Sequence, residues 1–175
     1  FVFHLSGKDK SWLGNTRATF LLFLTLGSIL GGPFGQKFNR RNLLLASNVL
    51  RIPAIGVLFF TSSLYTVVGM NALIAFFTGI YNPSRQAMVN ELVPQKQIKE
   101  ANSLFGSTMA ILHLVGPFVG ATLFAKLGGI QEILTFDLFT YALGIFLLYR
   151  ISYTPPQKTK ESEESFSEQL KQGLR

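Results

Sequence analysis

The chain alternates between long stretches without charge and short basic segments. Residues 18–36, 52–84 and 101–125 contain no Asp, Glu, Lys or Arg. A helix on the surface of a soluble protein needs a polar face, and these stretches offer none. Their apolar residues come in blocks and not in alternation, which favours helices over strands. The pattern therefore predicts helices that lie in a lipid bilayer.

The length of each apolar stretch indicates the number of spans. A helix of about 20 residues crosses the roughly 30 Å hydrocarbon core, whereas residues 52–84 would form one helix of about 50 Å. The polar triplet at 61–63 is the best place for the turn that this stretch needs. We predict an all-α polytopic membrane helix bundle over residues 1–153, with the end of an earlier span at 1–5, and a cytoplasmic linker over 154–175. The five complete spans are predicted at 12–34, 43–61, 64–81, 102–125 and 130–149.

The chain has a net charge of +7, and the distribution of its basic residues indicates how it is oriented in the membrane. Basic residues lie at the ends of the apolar runs and not on one face, which argues against nucleic acid binding and for a membrane protein with basic loops. Eleven basic residues fall on the side that holds residues 35–42 and the C-terminal tail, and three fall on the other side. By the positive-inside rule, we expect a multi-pass plasma membrane protein with residues 35–42 and the tail in the cytoplasm.

A glycine-rich helix end leads into the most basic loop. Gly27, Gly31 and Gly35 recur every four residues, so they share one helix face and allow a second helix to approach closely. The loop that follows resembles the signature loop between the second and third helices of the major facilitator superfamily, where an Asp latches the two halves of the transporter together. Gln36 stands where that family has Asp, and Asn39 stands where it often has Gly. The matching residues are Gly32, Lys37, Arg40 and Arg41.

A second resemblance lies in the fourth span. Gly116, Pro117 and Gly120 resemble the antiporter motif in the fifth helix of drug exporters, although Leu112 replaces its first Gly and Ala121 its last. Pro117 frees a backbone carbonyl and bends the helix, while the glycines permit close packing. An ordinary kinked span is the alternative, because Gly and Pro are common in membrane helices.

The third resemblance is the longest. Residues 82–87, 92–94 and 100–104 resemble the macrolide-efflux-like and enterobactin-exporter-like branch of the superfamily, with Pro83 and Arg85 at the cytoplasmic end of the third span. The resemblance covers about residues 2–175 and implies helices two to six of twelve. It further implies a secondary transporter that exports drug-like or siderophore-like small molecules by alternating access, driven by an ion gradient, usually of protons. The C-terminal half of the transporter would then be the partner of this chain.

Polar residues inside spans are candidates for the substrate path or for coupling, because burying a charge in hydrocarbon costs at least about 2.5–3.5 kcal/mol. Arg17 and Asp137 lie at similar depths, which allows a pair that either fixes helix packing or couples transport to protons. Asn48 and Arg51 share a helix face and point either into a cavity or into a packing contact. His113 is either a proton relay or a histidine bonded to a backbone carbonyl.

Enzymatic chemistry has little support in the sequence. The chain has no Cys and two His, and no span holds a close pair of carboxylates. We therefore predict no metal site, no cofactor and no catalytic residue. Two alternatives stay open, namely a helical membrane scaffold or half-transporter without transport activity of its own, and a membrane enzyme that acts on lipids. The second would need an acid/base partner near residues 37–41.

Overall fold

Five long helices form the described part of the chain. The structure, a computed structural model, describes residues 9–127 and 129–154, and these residues contain no strand. Each of the five helices is long and apolar enough to cross a membrane, so the predicted all-α membrane bundle is confirmed. The predicted end of an earlier span at 1–5 and the linker beyond residue 154 lie outside the described residues. The helices are α1 (Lys10–Lys37), α2 (Arg40–Phe60), α3 (Leu64–Leu92), α4 (Ile98–Leu127) and α5 (Ile130–Arg150), and a short 3-10 helix (Gln95–Gln97) precedes α4.

The helix boundaries agree with the predicted spans to within four residues, except at the end of α3. The predicted turn at 61–63 is confirmed, because α2 ends at Phe60 and α3 begins at Leu64. The predicted end of the third span at residue 81 is wrong as a helix end, since α3 continues to Leu92 with Pro83 inside it. A loss of hydropathy marks where the apolar segment ends, whereas a helix continues in water as long as its backbone bonds are made.

The glycine face of α1 packs against α3. A Cβ atom at Gly27 would overlap the carbonyl oxygen of Phe76, and one at Gly31 would lie 2.7 Å from Cγ of Pro83. A Cβ atom at Gly79 of α3 would overlap the backbone of α1 in return. The two backbones therefore meet at a separation that only glycine permits, as the four-residue spacing predicts.

Helix α2 packs between α3 and α5. Its inner face buries Leu44, Ala54 and Ile55. Leu44 forms an apolar cluster with Met88 of α3 and Leu148 of α5, which joins the three helices near the end of the bundle that holds the loop between α1 and α2. We name this end the loop end. The same face of α2 buries three polar residues, Ser47, Asn48 and Arg51.

Helix α4 packs lightly against the rest of the described chain. None of the residues in its most apolar segment is buried. Leu114 is 71% exposed and Phe118 is 74% exposed, and both side chains are fully apolar. Such a surface is unfavourable in water and is satisfied in a membrane by lipid or by another helix.

Candidate functional site

The loop between α1 and α2 is short because Asn39 caps the helix that follows. Its side-chain Oδ1 accepts hydrogen bonds from the backbone N–H of Arg41 at 3.0 Å and of Asn42 at 3.4 Å. Its φ of −60° lies outside the left-handed region, so Asn39 acts as a helix N-cap and does not need the backbone freedom of the Gly that the superfamily often has at this position. The cap fixes the direction in which Arg40 and Arg41 leave the first turn of α2.

Arg40 forms an ion pair at the loop end of the bundle. Its Nε lies 3.0 Å from Oε1 of Glu91 in the last turn of α3. The hydroxyl of Tyr153, just after α5, donates to the other oxygen of Glu91 at 2.5 Å. One carboxylate therefore connects the start of α2, the end of α3 and the segment after α5.

Arg41 binds the C-terminal end of α5. Its Nε donates to the carbonyl oxygen of Leu148 at 3.0 Å, and its Nη2 donates to the carbonyl oxygen of Tyr149. The guanidinium also lies 5.5 Å from the centre of the Tyr149 ring. A cation at this place satisfies helix-end carbonyls and opposes the helix dipole. We name Arg40, Arg41, Glu91 and Tyr153 the loop-end cluster.

The environment of Tyr153 keeps its hydroxyl protonated. Partial burial, and then the hydrogen bond and negative charge of Glu91, raise the pKa of Tyr153 from 10.0 to about 12. A neutral phenol is the form that donates to a carboxylate. Tyr153 is therefore a hydrogen-bond donor to Glu91 over the whole physiological pH range.

A second polar group lies inside the bundle around Arg51. This residue is 5% exposed, and its Nη1 donates to Oδ1 of Asn48 at 3.3 Å. Its guanidinium carbon lies 5.1 Å from the ring centre of Tyr81 in α3 and 5.5 Å from that of Tyr141 in α5. Asp137, half-buried in α5, interacts electrostatically with Arg51. We name Asn48, Arg51, Tyr81, Asp137 and Tyr141 the Arg51 cluster.

Arg85 and its neighbour connect α3 to α4. The guanidinium carbon of Arg85 lies 4.0 Å from the ring centre of Phe105, which is the closest cation–aromatic contact in the described residues. Gln86 donates from Nε2 to Oδ1 of Asn102 at 2.5 Å. These contacts hold the first turns of α4 to α3 near the loop end, while the rest of α4 stays exposed.

The predicted pair between Arg17 and Asp137 is not formed in the described residues. Arg17 is exposed and its guanidinium lies over Phe20 at 5.5 Å, whereas Asp137 interacts with Arg51. Equal depth does not bring two helices together, and α1 packs against α3 instead of α5. The predicted pair is therefore wrong, and its carboxylate belongs to the Arg51 cluster.

The predicted features of α4 make no close contact in the described chain. A Cβ atom at Gly116 or Gly120 would meet no atom within 4 Å. Pro117 lies inside the helix, and His113 is exposed, with no hydrogen bond from its side chain among the described residues. Neither the close packing expected at the glycines nor a carbonyl partner for His113 is found within this part of the chain.

Comparison with known proteins identifies the family. Residues 2–174 match the model of the Major Facilitator Superfamily. The chain belongs to the Major Facilitator Superfamily. Members of this superfamily are transporters and not enzymes, which confirms the prediction that the chain has no enzymatic role. The lipid-enzyme alternative is thereby removed.

Individual relatives within the superfamily are distant. The chain is 25% identical to a Na(+), Li(+), K(+)/H(+) antiporter of Planococcus maritimus, over 84% of the chain and 35% of the relative. It is 28% identical to a chloramphenicol resistance protein of Pseudomonas aeruginosa, over 73% of the chain and 31% of the relative. It is 25% identical to multidrug resistance protein D of Escherichia coli, over 59% of the chain and 26% of the relative. The chain therefore spans about a third of the length of these proteins, and no solved structure gives a significant match.

Within this Major Facilitator chain, the signature loop and the polar span residues belong to two separate groups. Arg40 and Arg41 lie in the loop-end cluster, whereas Asn48, Arg51 and Asp137 lie in the Arg51 cluster. Gly32 is exposed, and a Cβ atom there would meet nothing within 4 Å. The Nζ of Lys37 lies 5.8 Å from the ring centre of Phe38, and the side chain of Gln36 lies outside the described part.

The sequence pattern did not indicate four residues of these two clusters. Glu91 and Tyr153 come from positions after the predicted ends of their spans, so hydropathy alone did not connect them with the arginines. For Tyr81 and Tyr141, features of the sequence do indicate a place near the polar span residues. Tyr141 follows Asp137 by four residues and therefore shares its helix face. Aromatic residues beside a buried arginine are common partners for its charge.

Proposed function

We propose that the protein containing this chain is a secondary active transporter that exports drug-like or siderophore-like small molecules by alternating access, driven by a proton gradient. The observation that carries the proposal is the combination of two features in a Major Facilitator chain. One is a loop-end cluster that joins α2, α3 and α5 through polar contacts. The other is a charged cluster buried among the same three helices. Polar contacts can be broken and remade during a cycle, whereas an apolar core has no such switch.

The loop-end cluster acts as the cytoplasmic gate in this proposal. The distribution of basic residues supports a cytoplasmic position for residues 35–42 and for the C-terminal tail. Opening at this end requires that the contacts of Arg40 and Arg41 change. The exposed face of α4, with Gly116, Pro117 and Gly120, is assigned to packing with the other half of the transporter, since small residues suit close helix contacts.

Drug export is tested most directly with the full-length protein in liposomes. We expect radiolabelled chloramphenicol to move across the membrane when a pH gradient is imposed, and its movement to stop when a protonophore removes that gradient. Vesicles without protein serve as the control. Equal flux in both kinds of vesicle, with the protein shown to be folded, would support the scaffold alternative instead.

The nature of the exchanged ion needs a separate arm of the same experiment. A pH-sensitive dye inside the vesicles reports proton movement when Na(+), K(+) or the drug is added outside. A response to the drug alone supports drug/proton exchange. A response to the cations alone would instead assign to this protein the exchange named for its Planococcus relative.

Asp137 is the residue proposed to couple protons to transport. Substitution by Asn removes its titration, so the drug flux of the Asp137→Asn variant is expected to lose its dependence on the pH gradient. Glu132→Gln, an exposed acid one and a half turns earlier on α5, is the matched control and is expected to keep that dependence. An unchanged dependence in Asp137→Asn would remove Asp137 from the coupling mechanism.

A further inference from the structure

Arg51 is buried with part of its hydrogen-bonding capacity unused. Its Nη1 reaches Asn48, whereas Nε and Nη2 are buried and have no hydrogen-bond partner among the described residues. A guanidinium is always charged in proteins, and a buried charged donor without an acceptor is unfavourable. These two atoms therefore indicate where an acceptor group would bind most favourably.

The two unpartnered atoms lie on the same edge of the guanidinium. The N–H groups of Nε and Nη2 run nearly parallel, and their spacing matches the two oxygens of a carboxylate. A lone carbonyl or hydroxyl would satisfy one of them. The geometry of this edge therefore selects a planar oxyanion that accepts two hydrogen bonds at once.

The residues around Arg51 supply no two-oxygen acceptor for this edge, so a group from outside the cluster can bind there. Tyr81 and Tyr141 contribute aromatic rings to the cation, and the hydroxyl of Tyr141 also interacts with Arg51. A ring accepts no pair of in-plane N–H bonds, and a single hydroxyl oxygen does not match both donors of this edge. Asp137 is near enough to interact electrostatically, yet no ion pair joins it to Arg51 in the described residues. Positive charge and aromatic surface together suit an acid that also carries an apolar ring.

We propose that the Nε–Nη2 edge of Arg51 binds the carboxylate of a transported aromatic acid. This inference rests on the proposed transport function, and it names the substrate class. The low exposure of Arg51 means that α2, α3 and α5 must separate for the ligand to enter, as alternating access requires. After a shift of α5, the carboxylate of Asp137 could make the same bidentate contact. The experiment below distinguishes a ligand carboxylate from that of Asp137.

Benzoate and benzamide are suitable probes because they have the same shape and differ in charge. The thermal stability of the purified full-length protein is measured against the concentration of each compound. Benzoate is expected to raise the melting temperature in a saturable manner, and benzamide is expected to leave it unchanged. Equal effects of the two compounds, or no effect of benzoate, would overturn the proposal.

Three variants locate the binding to Arg51. Arg51→Lys keeps the charge but lacks the two-donor edge, so the affinity for benzoate is expected to fall about tenfold or more. Arg150→Lys is the matched control, because Arg150 is exposed and contacts one ring, that of Phe146. Asp137→Asn removes a competing negative charge and is expected to strengthen benzoate binding several-fold, a test that stands even if Arg51→Lys does not fold.

The outcomes distinguish this site from the proposed function. If Asp137 is the partner of Arg51, benzoate has no effect on the wild type, and the destabilisation by Arg51→Lys and Asp137→Asn is not additive. That result overturns the substrate proposal. Benzoate binding without flux of either chloramphenicol or radiolabelled benzoate in liposomes would keep the site and reject export. Drug flux without benzoate binding would keep export and reject the site.

Discussion

At the scale of single residues, the clearest feature is the role of glycine in helix contact. Gly27 and Gly31 on α1 and Gly79 on α3 let two backbones meet, and a methyl group at any of them would overlap atoms of the other helix. Gly14 and Gly32 lie on the same helix as Gly27 without such a neighbour. Position on the helix face, and not the residue type, therefore decides which glycines are structural.

Gly27→Ala should destabilise the contact between α1 and α3. The added methyl group would overlap the carbonyl oxygen of Phe76, and overpacking of this kind costs about 1–3 kcal/mol. Gly14→Ala is the control, since open space surrounds it and Ala favours a helix by up to about 1 kcal/mol over Gly. Thermal unfolding of the two variants in detergent is the measurement. Equal melting temperatures would show that the backbones of α1 and α3 lie farther apart than in the structure.

Tyr153 makes the stability of the loop-end cluster dependent on alkaline pH. Its pKa is raised from 10.0 in the unfolded chain to about 12 in the folded chain. Its contribution is therefore complete below pH 10 and is lost as the pH rises towards about 12. When tyrosine absorbance is measured as the pH is raised, the ionisation step at the highest pH is expected to be missing in the Tyr153→Phe variant.

Glu91→Gln provides the control for that titration. The hydrogen bond and the negative charge of Glu91 raise the pKa of Tyr153 after burial itself. Removing the charge should move the Tyr153 component to lower pH without abolishing it. An unchanged titration in both variants would mean that Tyr153 does not contact Glu91 in solution.

At the scale of elements, helix ends connect the bundle. The first turn of α2 contacts the last turn of α3 through Arg40 and the last turn of α5 through Arg41. Asn39 fixes the start of α2 by capping it, so both arginines begin from a defined place. The loop end is therefore held by directional polar contacts in addition to the apolar cluster around Leu44.

Arg41→Ala should loosen the end of α5. The substitution removes donors to the carbonyls of Leu148 and Tyr149, and hydrogen bonds from a charged group contribute about 1.5–3 kcal/mol each. Amide hydrogen exchange at the last turn of α5 is expected to become faster. Arg150→Ala, which removes an exposed charge from the same turn, should change this exchange much less. Similar amide exchange in the two variants would show that Arg41 does not stabilise the C-terminal end of α5.

At the scale of the whole molecule, the surface is that of a membrane protein. Apolar side chains are exposed on all five helices, and α4 is exposed along most of its length. The loop of residues 38–39 and the turn of residues 61–63 lie at opposite ends of α2. If α2 crosses the bilayer once, these two connections lie on opposite sides of the membrane.

Single cysteines test this sidedness, and the described chain contains no natural cysteine. Asn42→Cys and Ser62→Cys place a thiol at exposed positions near the two ends of α2. A membrane-impermeant maleimide is expected to label Ser62→Cys in intact cells. It should label Asn42→Cys only after the membrane is opened, because the basic loop is proposed to face the cytoplasm. The reverse pattern would invert the topology, and labelling of both in intact cells would show that α2 does not span.

The sequence by itself determined the number and approximate position of the membrane helices, since the free energy of placing a residue in hydrocarbon depends mainly on that residue. It also determined the glycine face of α1, because a four-residue spacing is a property of one helix. Only the tertiary structure decided which charges meet. Asp137 interacts with Arg51 and not with Arg17, and Arg40 pairs with Glu91 beyond the predicted end of its span. Such pairs depend on which helices pack together, and hydropathy at a given depth carries no information about the neighbour.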